Sequence, residues 1–202
     1  MSSLLGIAEQ VEEIILDDRL IRTLDFCKTN DGFLVTDYTG NYRYHVLDLQ
    51  GKIKESVGYI PSKKNVNDAG KTALAQAWRS FMDYNPNDGI LAMMTQLGEV
   101  IEIFNLKTNT HSVHYGPSGE PIFSISESEA IPKGIKGFNE VVVADSCIYA
   151  VFDGGKYIYV FDFDGRPLNK FTLVHSAFGL VVSKKGLFTT STDTDIPLRT
   201  YQ

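Results

Sequence analysis

The chain has 202 residues, enough for one domain with a substantial core. Its net charge of −6 argues against a nucleic-acid partner, which would need clustered Lys and Arg. Hydrophobic residues make up 43% of the chain and charged residues 22%, as in ordinary globular proteins, and no apolar run approaches the ~20 residues of a membrane span. The 10 Tyr and 12 Phe, together with many Val, Ile and Thr, favour sheet over helix.

Four units of short strands follow one another, separated by turns rich in Gly, Asn and Asp. The predicted strands of the first unit are 20–26, 33–37, 42–48 and 52–58. Those of the second unit are 78–84, 90–95, 100–105 and 110–115. Those of the third unit are 137–144, 147–153, 157–162 and 168–173. The fourth unit has only 178–183, 187–191 and 198–201, and residues 13–16 are the candidate for its missing strand, because an open edge invites pairing.

A constant interval of 57 residues separates Asp48, Asn105 and Asp162, and each of them ends a run of alternating apolar residues. We expect their side chains to cap turns through hydrogen bonds to the backbone. Such a long fixed period indicates a repeated supersecondary unit, and sequential four-stranded antiparallel units are typical of the blades of a β-propeller. The alternative is a β-sandwich in which the spacing arises by chance.

The sequence therefore predicts an all-β, β-propeller-like fold as a single domain over residues 1–202, with about four blades, which corresponds to a partial or truncated propeller. The approximate blade boundaries are 20–59, 78–115, 137–173 and 178–202.

Two long connections separate the predicted units. Residues 60–77 are Ala-rich and predict a short helix that begins near Asp68, whereas residues 116–136 predict a polar loop. Because propellers usually bind on an axial face where such connections gather, both are candidates for ligand binding. On this interpretation, deletion of 118–130 should abolish partner capture and leave folding intact.

Two adjoining segments resemble a known family. Residues 148–155 (IYAVFDGG) and 158–168 (IYVFDFDGRPL) are similar to the blades of the TolB-like six-bladed β-propeller family of bacteria, and residues 195–201 (DIPLRTY) resemble the way such chains finish. The resemblance implies a propeller fold, a cell-envelope setting in many members, often as lipoproteins, and a mostly unassigned function. This chain departs from the family by showing four units rather than six and by lacking a lipoprotein signal.

The N-terminal residues have no basic start and no long apolar stretch, so no signal peptide is predicted in the sequence as written. Two settings stay open: the cytoplasm, or the cell envelope if a leader lies upstream of Met1.

Several motifs resemble chemical sites, and each has a plainer structural interpretation. Gly70-Lys71-Thr72 ends like a phosphate-binding loop, but Asn65 stands where that loop needs Gly, which favours a helix start. His111 and His114 lie on a predicted strand, where residues three apart face opposite sides, so a shared metal is not expected.

Two acidic motifs and two cysteines complete this set. Asp162-Phe163-Asp164 and Asp193-Thr194-Asp195 resemble calcium-binding fragments without the rest of the loop, and ordinary turn chemistry explains them. Cys27 and Cys147 are interpreted as small buried hydrophobic residues rather than as a disulfide.

The primary functional hypothesis is a non-catalytic binding or scaffold propeller without catalytic residues or cofactor. Its ligand is a protein, small molecule or carbohydrate of unknown identity. The alternative is a propeller-type metal-dependent hydrolase or lactonase, in which Asp37, Asp83, Asp145 and Asp153 would converge on the axis. A third hypothesis is a partial propeller that self-associates to close its ring.

Overall fold

The computed structural model describes residues 13–20, 22–64, 66–67, 70–127, 129–134, 136–191 and 195–201. Within these ranges the chain forms a series of antiparallel sheets, each built from consecutive strands. Sheet 1 contains β1 (Phe26–Lys28), β2 (Phe33–Thr36), β3 (Tyr42–Leu47) and β4 (Ile53–Tyr59). A helix, α1 (Lys71–Ala77), then leads into sheet 2, which contains β5 (Ser80–Asn85), β6 (Ile90–Thr95), β7 (Val100–Asn105) and β8 (Thr110–Tyr115).

A hairpin of β9 (Phe123–Ser126) and β10 (Glu129–Pro132) connects sheet 2 to sheet 3. Sheet 3 contains β11 (Phe138–Ala144), β12 (Cys147–Phe152), β13 (Tyr157–Phe161) and β14 (Pro167–Thr172). Sheet 4 contains β15 (Gly179–Ser183), β16 (Gly186–Thr190) and β17 (Leu198–Tyr201). The predicted all-β, propeller-like architecture of successive antiparallel units is confirmed, and so is the short helix before the second unit, although Asp68 lies outside the described residues.

Three local expectations differ from the structure. The first strand begins at Phe26 rather than at residue 20, and the connection 116–136, expected to be a loop, contains the β9–β10 hairpin. In the described ranges sheet 4 has three strands, and residues 13–16 do not complete it. Instead, Ile14 and Ile15 lie against Gly51 of sheet 1, where the Asp17 N–H donates to the Gly51 carbonyl at 2.9 Å.

The sheets stack face to face because the middle strands are apolar on both sides. In β6, Leu91 and Met93 pack against sheet 1, whereas Ala92 and Met94 pack against sheet 3. A third cluster joins sheets 3 and 4 through Val151, Ile158 and Leu180. Side chains of a strand alternate between faces, so successive residues pack against different neighbouring sheets.

The outer faces of the end sheets carry exposed apolar side chains, including Phe26 on sheet 1 and Val181 and Leu198 on sheet 4. Such faces would favour self-association, which stays a prediction here. No helix in the described ranges is long and apolar enough to cross a bilayer.

The expected turn caps are present in all three repeats. Asp48 Oδ1 accepts hydrogen bonds from the N–H groups of Gln50 and Lys52 at 3.0 and 2.9 Å. Asn105 Oδ1 and Asp162 Oδ1 make the corresponding bonds in sheets 2 and 3. Gly51 and Gly165 close two of these turns at φ +77° and +76°, a conformation that favours glycine.

The first strand of each sheet packs against the first strand of the next, so β1, β5, β11 and β15 are the innermost strands. Carboxylates bridge two of these junctions. Asp25 Oδ2 accepts the Met82 N–H at 2.9 Å, and Asp83 Oδ2 accepts the Val143 N–H at 2.7 Å. Glu140 lies 57 residues after Asp83 in the sequence, on β11, and its Oε1 accepts the Val141 N–H at 3.1 Å.

A buried ion pair joins sheets 1 and 2. Arg43 on β3 is 2% exposed and donates from Nε to Oε1 of Glu102 on β7, which is 1% exposed, at 2.7 Å. The other guanidinium nitrogens donate to the Trp78 carbonyl at 3.0 Å and to the Ser80 hydroxyl at 2.7 Å. This one side chain therefore ties β3 to β7 and to the start of β5.

Replacing Arg43 by Met should destabilise the fold by about 3–5 kcal/mol, because Glu102 would remain buried without its partner. Chemical denaturation followed by circular dichroism measures this loss. The double variant Arg43→Met, Glu102→Leu should recover most of it, since neither charge is then buried alone and Ser80 still donates to the Trp78 carbonyl. A single-variant loss below about 1 kcal/mol, within the range of surface ion pairs, would contradict this role.

Stability should also depend on pH through Glu140. Burial raises the pKa of Glu140 from 4.5 to about 7, against the lowering effect of the hydrogen bond from Val141 and with smaller raising contributions from Asp25 and Asp83. The folded state then holds a proton that the unfolded state releases. The stabilisation is complete below about pH 4.5 and is lost as the pH rises to about 7. We expect a higher thermal midpoint at about pH 5 than at about pH 8.

The variant Glu140→Gln should reduce this difference and raise the midpoint at the higher pH, whereas Glu55→Gln, at an exposed site on β4, should leave it unchanged. The pKa values of Asp25 and Asp83 are raised by burial too, so they act in the same direction at lower pH. An unchanged pH dependence in Glu140→Gln would disprove the assignment.

Candidate functional site

One end of the stacked sheets collects the connections between them. The innermost strands β1, β5 and β11 begin at this end, and the turns from β2 to β3 and from β6 to β7 lie there too. We call it the crossover face. Propellers have their ligand sites where such loops surround the axis, and both long connections predicted as binding candidates, 60–77 and 116–136, reach this face.

The two connections pack against each other and against sheet 2. Ala73 and Ala77 of α1 form a buried cluster with Trp78 and with Phe123 of β9. The Gln76 side chain accepts the Ala130 N–H through Oε1 at 3.0 Å, which links the helix to the hairpin. Deletion of 118–130 would remove a core residue, Phe123, so we now expect this deletion to destabilise the fold as well as to affect binding.

A cavity of about 380 Å³ opens between these elements on the crossover face. Its size is within the usual range for small-ligand pockets. Residues from sheet 1, sheet 2, α1 and the hairpin all contribute to its wall. The described residues that line it are Arg22, Tyr38, Gln76, Arg79, Leu97, Glu129, Ala130 and Pro132.

The backbone around the cavity is held by specific hydrogen bonds. Tyr38 N–H donates to the Arg22 carbonyl at 3.3 Å, and the Thr36 hydroxyl accepts the N–H groups of Leu24 and Asp25. On the other side, Gln96 N–H donates to the Arg79 carbonyl at 2.9 Å. Arg22 and Arg79 are therefore presented from fixed positions on adjacent sheets.

The two arginines are the notable electrostatic feature of the cavity. Neither guanidinium has an ion pair or a hydrogen bond to any residue in the described ranges, and Arg79 Nε is buried without an acceptor. Arg22 and Arg79 are 57 residues apart, and a further 57 residues lead to Lys136, just before β11. Each of the three units thus has a basic residue in the segment that leads into its innermost strand.

The carboxylate of Asp37, beside the cavity, is already hydrogen-bonded to neighbouring groups. Asp37, next to Tyr38, accepts hydrogen bonds from Thr39 at 2.7 Å and lies 3.4 Å from His45 Nε2. Burial raises the pKa of Asp37, but hydrogen bonds from His45 and Thr39 outweigh that effect and hold the pKa below its usual value. The Asp37 side chain thus stabilises the turn that positions Tyr38.

The four carboxylates proposed as axial metal ligands are distributed over different parts of the fold. Asp83 lies on the innermost strand β5, and Asp37 and Asp153 lie in turns of different sheets at the crossover face. Asp145 lies at the opposite end, in the turn between β11 and β12. Among the described residues, no group of three or more His, Cys, Asp or Glu side chains lies close enough to hold a metal ion.

The two histidines of β8, His111 and His114, make contacts on different faces of sheet 2. His111 stacks on Phe104 with a centroid distance of 4.0 Å, and its Nε2 lies 3.4 Å from Glu102 Oε2. His114 contacts the Ser112 hydroxyl at 2.9 Å and lies near Gly165 of sheet 3. They belong to the junctions on opposite sides of sheet 2, as the alternation along a strand requires.

The remaining motifs have structural roles or fall outside the described residues. Asp162 caps its turn, whereas Asp193 lies outside the described ranges, so the second calcium-like fragment stays untested. Lys71 and Thr72 begin α1, in agreement with the helix-start interpretation. Cys27 and Cys147 are free thiols, and burial raises the pKa of both.

Three solved structures share the arrangement of sheets described above. The computationally designed Ika4 protein is 9% identical, with 97% of this chain and 100% of that chain covered at a TM-score of 0.59. Saccharomyces cerevisiae Sqt1 is 9% identical over 84% of this chain and 43% of its own, at a TM-score of 0.53. A chain of the nidogen/laminin complex is 14% identical over 88% of this chain and 59% of its own, at a TM-score of 0.54.

This chain thus spans about half the length of the last two structures, and at such low identity the likeness shows the fold alone. No curated protein matches the sequence. The family model for TolB-like 6-blade propeller-like proteins matches residues 3–185, which is most of the chain. By its sequence and its stacked four-stranded sheets, the chain belongs to the TolB-like 6-blade propeller-like family.

Proposed function

We propose that this protein is a non-catalytic binding module that captures its ligand at the crossover face. The observation that carries the proposal is the cavity of about 380 Å³ built jointly by sheets 1 and 2, α1 and the β9–β10 hairpin. Its wall combines polar and charged groups with apolar surface from Leu97, Ala130 and Pro132. A mostly preformed cavity with a few placed polar groups is the usual design of a ligand site.

The fold supports this role. Each sheet is fixed to its neighbours by apolar clusters and by inter-sheet hydrogen bonds, so loops at the crossover face are held on a rigid base. One of the structures with a similar fold is a complex, between nidogen and laminin, which agrees with a binding role for stacked sheets of this kind.

The hydrolase alternative has less support in the described residues. Asp83 is engaged by the amides of Tyr84 and Val143, and Asp37 by Thr39 and His45. A metal site would need several such oxygens to converge with free lone pairs. The binding proposal uses the cavity without requiring that convergence.

Titration of the isotope-labelled protein with small acids, amides, amines and sugars tests the proposal by amide chemical shifts. We expect the largest shifts at cavity residues such as Tyr38, Arg79 and Ala130. Ala130→Phe should fill the cavity and abolish them. Ile131→Phe is the matched control, because Ile131 is 51% exposed and lies outside the cavity wall.

Two results would contradict this function. One is that every probe shifts only residues at the opposite end of the sheets, around Asp88 and Asp164. The other is metal-dependent turnover of ester or lactone substrates by the purified protein, which would favour the hydrolase alternative.

A further inference from the structure

The charge on the cavity wall narrows the kind of ligand that fits. Two guanidinium groups, Arg22 and Arg79, and one carboxylate, Glu129, line the cavity, so the formal charge of the described lining is plus one. None of these three side chains is paired with another described residue. The described part of the wall therefore carries one uncompensated positive charge in a protein whose net charge is −6.

The unpaired state of Arg79 is energetically unfavourable in the free protein. Its Nε is buried and has no acceptor in the described structure, and an unmade hydrogen bond of a charged donor costs more than that of a neutral one. A guanidinium presents its N–H donors in a planar fork that matches the two oxygens of a carboxylate. An anionic ligand would supply the acceptor that the described part of the protein does not provide.

The 57-residue interval relates Arg22, Arg79 and Lys136 in the sequence. Arg79 directly precedes β5, whereas Arg22 lies a short distance before β1 and Lys136 a short distance before β11. Lys136 does not line the cavity, but its backbone carbonyl accepts the Gly98 N–H at 2.8 Å, which fixes it beside the β6–β7 turn. These three basic residues thus lie at the crossover face, where Asp37 and Asp153 lie as well.

Resting on the proposed function, we propose that the cavity binds the carboxylate group of an organic acid through Arg22 and Arg79. A monoanion matches the single net positive charge of the wall, whereas a dianionic phosphate would face Glu129 with an excess of negative charge. The apolar part of the ligand packs against Tyr38, Leu97 and Pro132. Two sources share this chemistry: a free organic acid, and the C-terminal carboxylate of a peptide.

Paired probes separate these sources. We would titrate 4-phenylbutyrate against its amide, and a short peptide ending in Phe with a free carboxylate against the same peptide ending in an amide. In each pair the acid should bind roughly tenfold or more tightly than the amide, because the amide loses a charge-assisted hydrogen bond to the arginines. Preference for the peptide acid would identify a peptide terminus as the source, and preference for phenylbutyrate a free acid.

Charge variants with opposite effects test the assignment of residues. Arg79→Gln and Arg22→Gln should each weaken binding of the preferred acid by roughly tenfold, and Glu129→Gln should tighten it, because a like charge is removed. Lys133→Gln, an exposed control that does not line the cavity, should change the affinity little. If circular dichroism shows that Arg79→Gln is unfolded, Arg22→Gln, at an exposed position, provides the test.

The carboxylate assignment and the proposed binding function would be contradicted by different results. Amides that bind the cavity as tightly as the acids, or a phosphate probe that binds it more tightly, would overturn the carboxylate assignment and leave the binding function standing. Acids that bind with unchanged affinity to both Arg→Gln variants would also overturn it. Chemical-shift changes confined to other surfaces would overturn the proposed function itself.

Discussion

The structure depends on one constraint: the sheets are apolar on both faces, so each must be covered on two sides. In β6, Leu91 and Met93 face sheet 1 while Ala92 and Met94 face sheet 3, and all four are essentially fully buried. Full burial of one large apolar side chain contributes about 1.5–3 kcal/mol, so each of these strands gains stability from both neighbouring sheets. A sandwich would leave one face of each sheet in water, which explains why the same unit recurs along the chain instead.

Polar groups between the sheets fix the relative position of the sheets but contribute little to the net free energy of folding. The Arg43–Glu102 pair is desolvated, and buried pairs of this kind are weak contributors to stability even though breaking them is costly. Their directional bonds set how sheet 2 sits against sheet 1. The cavity depends on that placement, because sheet 1 supplies Tyr38 and the segment before β5 supplies Arg79. Packing in the core and ligand geometry at the crossover face are therefore linked.

The 57-residue interval was enough to predict the stacked sheets and the capped turns, because turn chemistry and strand patterning are local. Strand boundaries were less predictable. Residues before Phe26 look like a strand, but the amides of Leu24 and Asp25 bond to the Thr36 hydroxyl instead of extending the ladder. The β9–β10 hairpin is hard to predict because each of its strands has only four residues, of which Phe123 and Ala130 pack into the cluster around Trp78.

The candidate site was predicted only at the level of the two connections that form it. Arg22 and Arg79 are ordinary surface residues in the sequence, and only the structure brings them to one cavity. A signal was present, however. The interval that relates the turn caps also relates Arg22, Arg79 and Lys136, and it relates Asp83 to Glu140 on the innermost strands. The 57-residue interval thus relates charged residues as well as turn residues in this sequence.

Hydrogen exchange at individual amides tests the stacking most directly. Met82 and Val143 donate their N–H groups to carboxylates of the preceding sheet, so their protection reports contact between sheets rather than within one. We expect slow exchange at both amides, with Asp25→Ala accelerating exchange at Met82 and Asp83→Ala accelerating it at Val143. Exchange at both sites as fast as in the exposed outer strand β14 would show that the sheets are not stacked as described.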